Sequence, residues 1–138
     1  MKEIQDWNYV VTVLVDGRRT VHVPDSWDIL RIASRYGTIK SKEVYLDEKS
    51  HEWDHRHYQN AGYEISMEQS GKIPPKIIQR GLEILGKKKF FSEGLLALVT
   101  EDITCLPIFD RTSDVGKKIL LIGDTLYGIP QELRGRAD

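Results

Sequence analysis

The apolar positions of this chain fall in short, β-branched runs separated by amphipathic stretches. Tyr9 to Val15 (YVVTVLV), Leu95 to Val99 (LLALV) and Lys118 to Ile122 (KILLI) are nearly continuous, the pattern of strands buried on both faces. Ile39 to Leu46 and Tyr63 to Ser66 are weaker runs and predict strands nearer an edge. Helical periodicity lies between them. Asp25 or Ser26 caps a stretch in which Trp27, Ile29, Leu30 and Ala33 share one face, ended by Gly37. Glu52 to Asn60 predicts a polar surface helix closed by Gly62, with Trp53 packing inward. A third helix starts at Pro75, with Ile77, Ile78, Leu82 and Leu85 on its apolar side. Cys105 to Val115 predicts a fourth helix, and a fifth starts at Pro130.

Strands and helices therefore alternate, which predicts an α/β sandwich of three layers, a parallel sheet of about five strands with helices on both faces. The chain's 138 residues suit a single domain of that kind. Ligands of such folds bind beyond the carboxyl ends of the strands, where strand order reverses.

That rule directs attention to the residues following each strand. Asp16, Arg18 and Arg19 follow the first, Asp47 and Glu48 the second, Glu68 the third, Asp102 the fourth and Asp124 the fifth. If the first and fourth strands are neighbours, Asp16 and Asp102 face each other. Two carboxylates there could hold a Mg²⁺ or Mn²⁺ that activates a water, with Arg18 and Arg19 beside it on a phosphodiester. Loop carboxylates also serve as solvated charges or helix caps, a role open to Asp102.

The same residues carry a resemblance. The first strand ends in Val13-Leu14-Val15-Asp16-Gly17, and a Tyr36-Gly37 turn leads to Val44-Tyr45-Leu46-Asp47. Later come Leu98-Val99-Thr100-Glu101-Asp102, Leu106-Pro107-Ile108, Gly116-Lys117-Lys118 and the ending Leu133-Arg134-Gly135-Arg136-Ala137-Asp138. In order and spacing this resembles the NYN domains of the PIN-like nuclease superfamily, from about Tyr9 to Asp138. The resemblance implies strand order 3-2-1-4-5 and metal-dependent cleavage of RNA. Asp16 and Asp102 match family acids and would be catalytic and metal-binding. Asp124, taken as a metal ligand, or Glu101, Glu83 or Asp138 could compensate for missing acids; Arg18, Arg19 and Lys72 would contact substrate, and Tyr127 could stack on it or simply pack. The departures are chemical. Arg18-Arg19 stand where the family has Asn, no acid occurs between Ile73 and Lys76, and Thr104 replaces an acid. Fewer carboxylates weaken a divalent site, so weakened or lost catalysis is expected. The alternative is a non-catalytic module binding RNA, a protein partner or a second copy of itself. The family continues past Asp138, so a natural ending and a piece of a longer protein both stay open.

Composition narrows the picture further. The net charge is -1, so RNA contact would need a local basic patch. Lys87-Lys88-Lys89 with Phe90-Phe91 is one such candidate, read otherwise as a loop anchored by its Phe residues. The one cysteine, Cys105, excludes an internal disulfide and fits a reducing, cytoplasmic compartment; it reads as a small buried side chain. No apolar run approaches the roughly 18 residues a membrane span needs. His51-Glu52-Trp53-Asp54-His55 matches the H-E-x-x-H pattern of zinc hydrolases, a remote alternative on so polar a helix. A receiver-like or flavodoxin-like regulator is a further fold-level alternative, without the acid pair or phosphate loop those sites use.

Overall fold

A computed structural model describes residues 9–18, 25–86, 94–100 and 118–122. The strands are β1 (Tyr9–Asp16), β2 (Gly37–Leu46), β3 (Glu64–Met67), β4 (Gly94–Val99) and β5 (Lys118–Ile122). The helices are α1 (Ser26–Ser34), α2 (Glu52–Asn60) and α3 (Ile73–Leu85), the last preceded by a 3-10 turn over Ser70–Lys72. The helices expected at Cys105 to Val115 and from Pro130 lie outside the described residues.

All strand pairs are parallel, in the order β3-β2-β1-β4-β5. The period-2 alternation of β1 divides the core. Val11, Val13 and Val15 pack with Ile29 and Ala33 of α1 and with Tyr58 of α2. Leu14 faces the other way and packs with Ile73, Ile77, Ile84 and Leu85 of α3. Helices thus cover both faces, and every residue of β4 is buried. This is the α/β sandwich predicted from the apolar runs, and it matches the order 3-2-1-4-5.

β3 is an edge strand and β2 lies next to it, as their weaker apolar runs predicted, and the first seven residues of β2 are partly or fully exposed. Two expectations need correction. α3 begins at Ile73, two residues earlier than expected, with both prolines in its first turn, where an absent N–H costs little. Trp27 and Trp53 do not pack inward: they are 54% and 63% exposed. α1 instead buries Ser26, Ile29 and Ala33, and α2 buries Tyr58.

Local chemistry sets the helix starts. The Asp25 side chain accepts the Trp27 amide at 2.9 Å and caps α1. Asp54 accepts the His51 amide at 2.8 Å at the start of α2. Among the described residues no helix is long and apolar enough to cross a membrane.

Candidate functional site at the carboxyl rim

Strand order reverses between β1 and β4, so the crevice beyond their carboxyl ends is where an α/β fold of this kind holds its ligand. Asp16 and Thr100 stand there. Asp16 closes β1 on the face shared with Leu14 and α3, and its side chain is fully buried. Residue 17, the next in the chain, is glycine, and it lies too close to β2 for a side chain. A Cβ on Gly17 would come within 2.7 Å of Leu46 Cδ2 and 2.9 Å of Val44 Cγ2, and the Gly17 amide donates to the Tyr45 carbonyl at 2.9 Å.

Arg18, beyond Gly17, folds back onto Asp16. Arg18 Nε donates to Asp16 Oδ1 at 2.9 Å and Nη2 to Oδ2 at 2.6 Å, while the Arg18 amide reaches Oδ1 at 3.3 Å. Thr100 Oγ1 adds a fourth bond, to Oδ2 at 3.3 Å. Both carboxylate oxygens are therefore occupied by donors, in the two-pronged geometry that suits guanidinium to carboxylate. Arg18 itself is 9% exposed. Arg18 was expected beside the acids, on a phosphodiester; it lies beside Asp16, and its side chain is the counter-ion of that acid.

From Arg18 the network extends around the rim. Its Nη1 donates to the Ser70 carbonyl at 3.5 Å, and the Ser70 amide donates to Glu48 Oε2 at 3.2 Å. Glu48, Ser70, Arg18, Asp16 and Thr100 link the chain segments that follow β2, β3, β1 and β4. Asp47, after β2, is also fully buried. Its Oδ1 accepts from the Lys49 amide at 3.1 Å and from Ser50 Oγ at 3.3 Å, while Oδ2 has no hydrogen-bond partner among the described residues. Sequence reasoning did not single out Asp47, Ser70 or Thr100 as site residues. For Asp47 and Thr100 the signal was a place directly after a strand; for Ser70, separated from Arg18 by 52 residues, there was none.

Lys72 is exposed on the 3-10 turn and borders a 390 Å³ depression with Glu48, Met67, Glu68 and Gln69. Lys76 lies 3.9 Å from Glu68 rather than against Asp16. A second, larger groove of 770 Å³ runs from Arg18 along Pro74, Pro75, Ile78 and Leu82. Arg19, Asp102, Tyr127 and Asp124 lie outside the described residues, as do Cys105 and the Lys87 to Phe91 segment. β1 and β4 are neighbours, so the strand arrangement required for Asp16 to meet the fourth strand's exit is present, and Thr100 makes that contact.

A Mg²⁺ or Mn²⁺ needs free carboxylate oxygens, usually with more than one acid at hand. Of the three ligands expected for such an ion, Asp102 and Asp124 lie outside the described residues, and at Asp16 Arg18 engages both oxygens. Among the described residues no group of three or more His, Cys, Asp or Glu is placed to hold a metal. The H-E-x-x-H stretch straddles the start of α2, with His55 inside the helix. His51 precedes α2, and the nearby His57 Nε2 lies 2.7 Å from Asp25 Oδ2.

On the opposite face of the sheet, polar contacts pin α1 to its neighbours. Tyr63 Oη donates to the Ser26 carbonyl at 3.0 Å, and the Tyr58 and Tyr63 rings meet edge to face with centroids 5.0 Å apart. Burial pushes both phenols above their usual value. Burial also pushes the Asp25 carboxyl up, but the hydrogen bonds from His57 and the Trp27 amide outweigh it and hold the carboxyl below its usual value. On the α3 face, burial and then the Glu43 charge raise the Tyr45 phenol to about 12. Glu43 itself is bound by Arg80, with Nε–Oε1 at 3.0 Å and Nη2–Oε2 at 2.9 Å.

No family model matches the chain, and no curated protein matches it. Among solved structures it is similar to the protein of unknown function VPA0982 from Vibrio parahaemolyticus, with a TM-score of 0.73 and 16% sequence identity. The match covers 100% of this chain and 93% of that one. At that identity the likeness establishes the shared α/β fold.

Proposed function

We propose that this chain is an NYN-type, PIN-like domain related to metal-dependent endoribonucleases, in which metal-dependent cleavage is weakened or lost and RNA binding is what remains. One observation supports the reading above others: the first acid of the site, Asp16, has both oxygens engaged by Arg18. A buried guanidinium supplies the positive charge that a divalent ion would otherwise bring, and a metal would have to displace it. Acidic positions missing from the sequence, at Thr104 and between Ile73 and Lys76, point the same way. Lys72, exposed at the same rim, is the described cation best placed to meet a phosphodiester.

The test uses the wild-type protein with a single-stranded RNA, with and without Mn²⁺. The expected result is salt-sensitive RNA binding, weakened by Lys72→Ala, with no metal-dependent cleavage above background. Robust Mn²⁺-dependent cleavage that Asp16→Asn abolishes would falsify the claim of weakened catalysis. Absence of RNA binding at low salt would remove the RNA-binding part of the reading.

A further inference from the structure

We propose that the N-terminal ends of α1 and α2 form a docking surface for a protein segment that presents arginine or lysine side chains. This surface stands apart from Asp16, which faces α3, and the proposal does not depend on the RNA reading above.

The starting observation is that the molecule spends two tryptophans on solvent. Among the described residues the exposed large hydrophobic side chains are Trp27, Trp53 and Met67. Neither helix needs its indole for packing, since Ile29, Ala33 and Tyr58 fill the core beneath them. Leaving such large apolar surfaces in water is unfavourable unless something covers them. The start of α1 is also bound to α2, at His57 in the last turn of that helix. Asp25 Oδ1 accepts the Trp27 amide at 2.9 Å, Asp25 Oδ2 meets His57 Nε2 at 2.7 Å, and the His57 ring stands edge-on to Trp53, centroids 6.4 Å apart. A short chain of contacts therefore connects the segments carrying both indoles.

Charge selects the occupant. Residues 25–31 and 51–57 carry the carboxylates Asp25, Asp28, Glu52 and Asp54 but only two guanidiniums, Arg31 and Arg56. Both guanidiniums already sit in ion pairs, Arg31 with Asp28 at 3.2 Å and Arg56 with Glu52 at 2.8 Å. With the histidines neutral the patch is acidic. An acidic rim around exposed indoles attracts a cationic side chain, whose charge is stabilised over the face of a tryptophan. The same rim repels a phosphodiester. A basic protein segment fits both features, and RNA fits neither.

The experiment follows the indole N–H resonances of isotope-labelled protein, assigned with Trp7→Phe, Trp27→Phe and Trp53→Phe. The probes are hexa-arginine, hexaglutamate and an oligouridylate. Saturable shifts of the Trp27 and Trp53 signals are expected with hexa-arginine and not with the two anions. Trp27→Ala and Trp53→Ala should each weaken hexa-arginine binding about two- to fivefold, the range of an exposed cation–π contact. Both side chains are exposed, so circular dichroism should show the variants folded. The proposal is overturned if hexa-arginine fails to bind saturably, leaves the two indole signals unmoved, or binds both alanine variants at full strength. It is equally overturned if the oligouridylate is what moves those signals.

Discussion

Arg18 grips the carboxylate of Asp16 two residues earlier in the chain, with Nε–Oδ1 at 2.9 Å and Nη2–Oδ2 at 2.6 Å. The acid side chain is 0% exposed and the arginine side chain 10%. A pair at that depth is costly to break from one side, because the remaining charge stays buried without its partner. Asp16→Ala and Arg18→Ala are each expected to lower stability by about 3–5 kcal/mol. The double variant should lose much less than the sum of the two, since no charge is stranded. Urea unfolding of the four proteins checks this; additive losses would mean that the pair does not act as a unit.

Gly17 lies between the two, against β2. A methyl group at this position would press on the Leu46 and Val44 side chains at 2.7 and 2.9 Å and on the Tyr45 carbonyl at 3.1 Å. These neighbours belong to a packed interior strand with little room to yield. Gly17→Ala is therefore expected to cost about 1–3 kcal/mol, the range for overpacking a close-packed site. The measurement is the shift in denaturation midpoint, and a neutral result would show that β2 gives way.

How much of this was legible beforehand depended on which physical signal each residue left in the sequence. β1, β4 and β5 were readable because a parallel strand covered on both faces must be apolar almost throughout. β2, next to the edge strand β3, left a weaker apolar run because its first half lies partly in solvent, where Lys40, Lys42 and Glu43 stand. Trp27 and Trp53 were misdirected inward because residue type was taken as orientation, whereas Ile29 and Tyr58 on the same helices already fill the space. At the rim, Asp16 stood out by its place after a strand. The role of Arg18 did not: a sequence shows a cation two residues from an acid, not that it folds back onto that acid. Its further tie to Ser70, 52 residues away, left no local trace.

Three buried phenols should make the protein sensitive to base. Tyr45 is raised to about 12, and Tyr58 and Tyr63 are raised as well, burial being the largest cause in each. A phenol raised in the folded state favours its neutral form there. It contributes stability that is fully present below the unfolded value of 10.0 and lost as pH rises through the folded value. At about pH 11 the folded protein should therefore show these three tyrosines still neutral, with their ionisation arriving together with unfolding. Absorbance titration of the phenolates beside far-ultraviolet circular dichroism tests the coincidence. Early ionisation of all three in folded protein would contradict the burial described for them.

Asp25 works at the acid end and in the opposite sense. Its carboxyl is raised by burial but lowered further by His57 and the Trp27 amide, so that it lies below 3.8 in the folded state. A lowered carboxyl contributes stability that is present above the unfolded value of 3.8 and disappears as pH falls through the folded one. The Asp25 and His57 side chains are 46% and 37% exposed, so solvent screening keeps the contribution small, about 0.5 kcal/mol. Asp25→Asn keeps a good helix cap while removing the charge opposite His57. Wild type should therefore exceed the variant in stability by that small margin above the unfolded value of 3.8, and the margin should close as pH falls through the lower folded value. Unfolding midpoints across that range measure it. A margin that persists unchanged into strong acid would assign the effect to lost capping geometry rather than to the charge of Asp25.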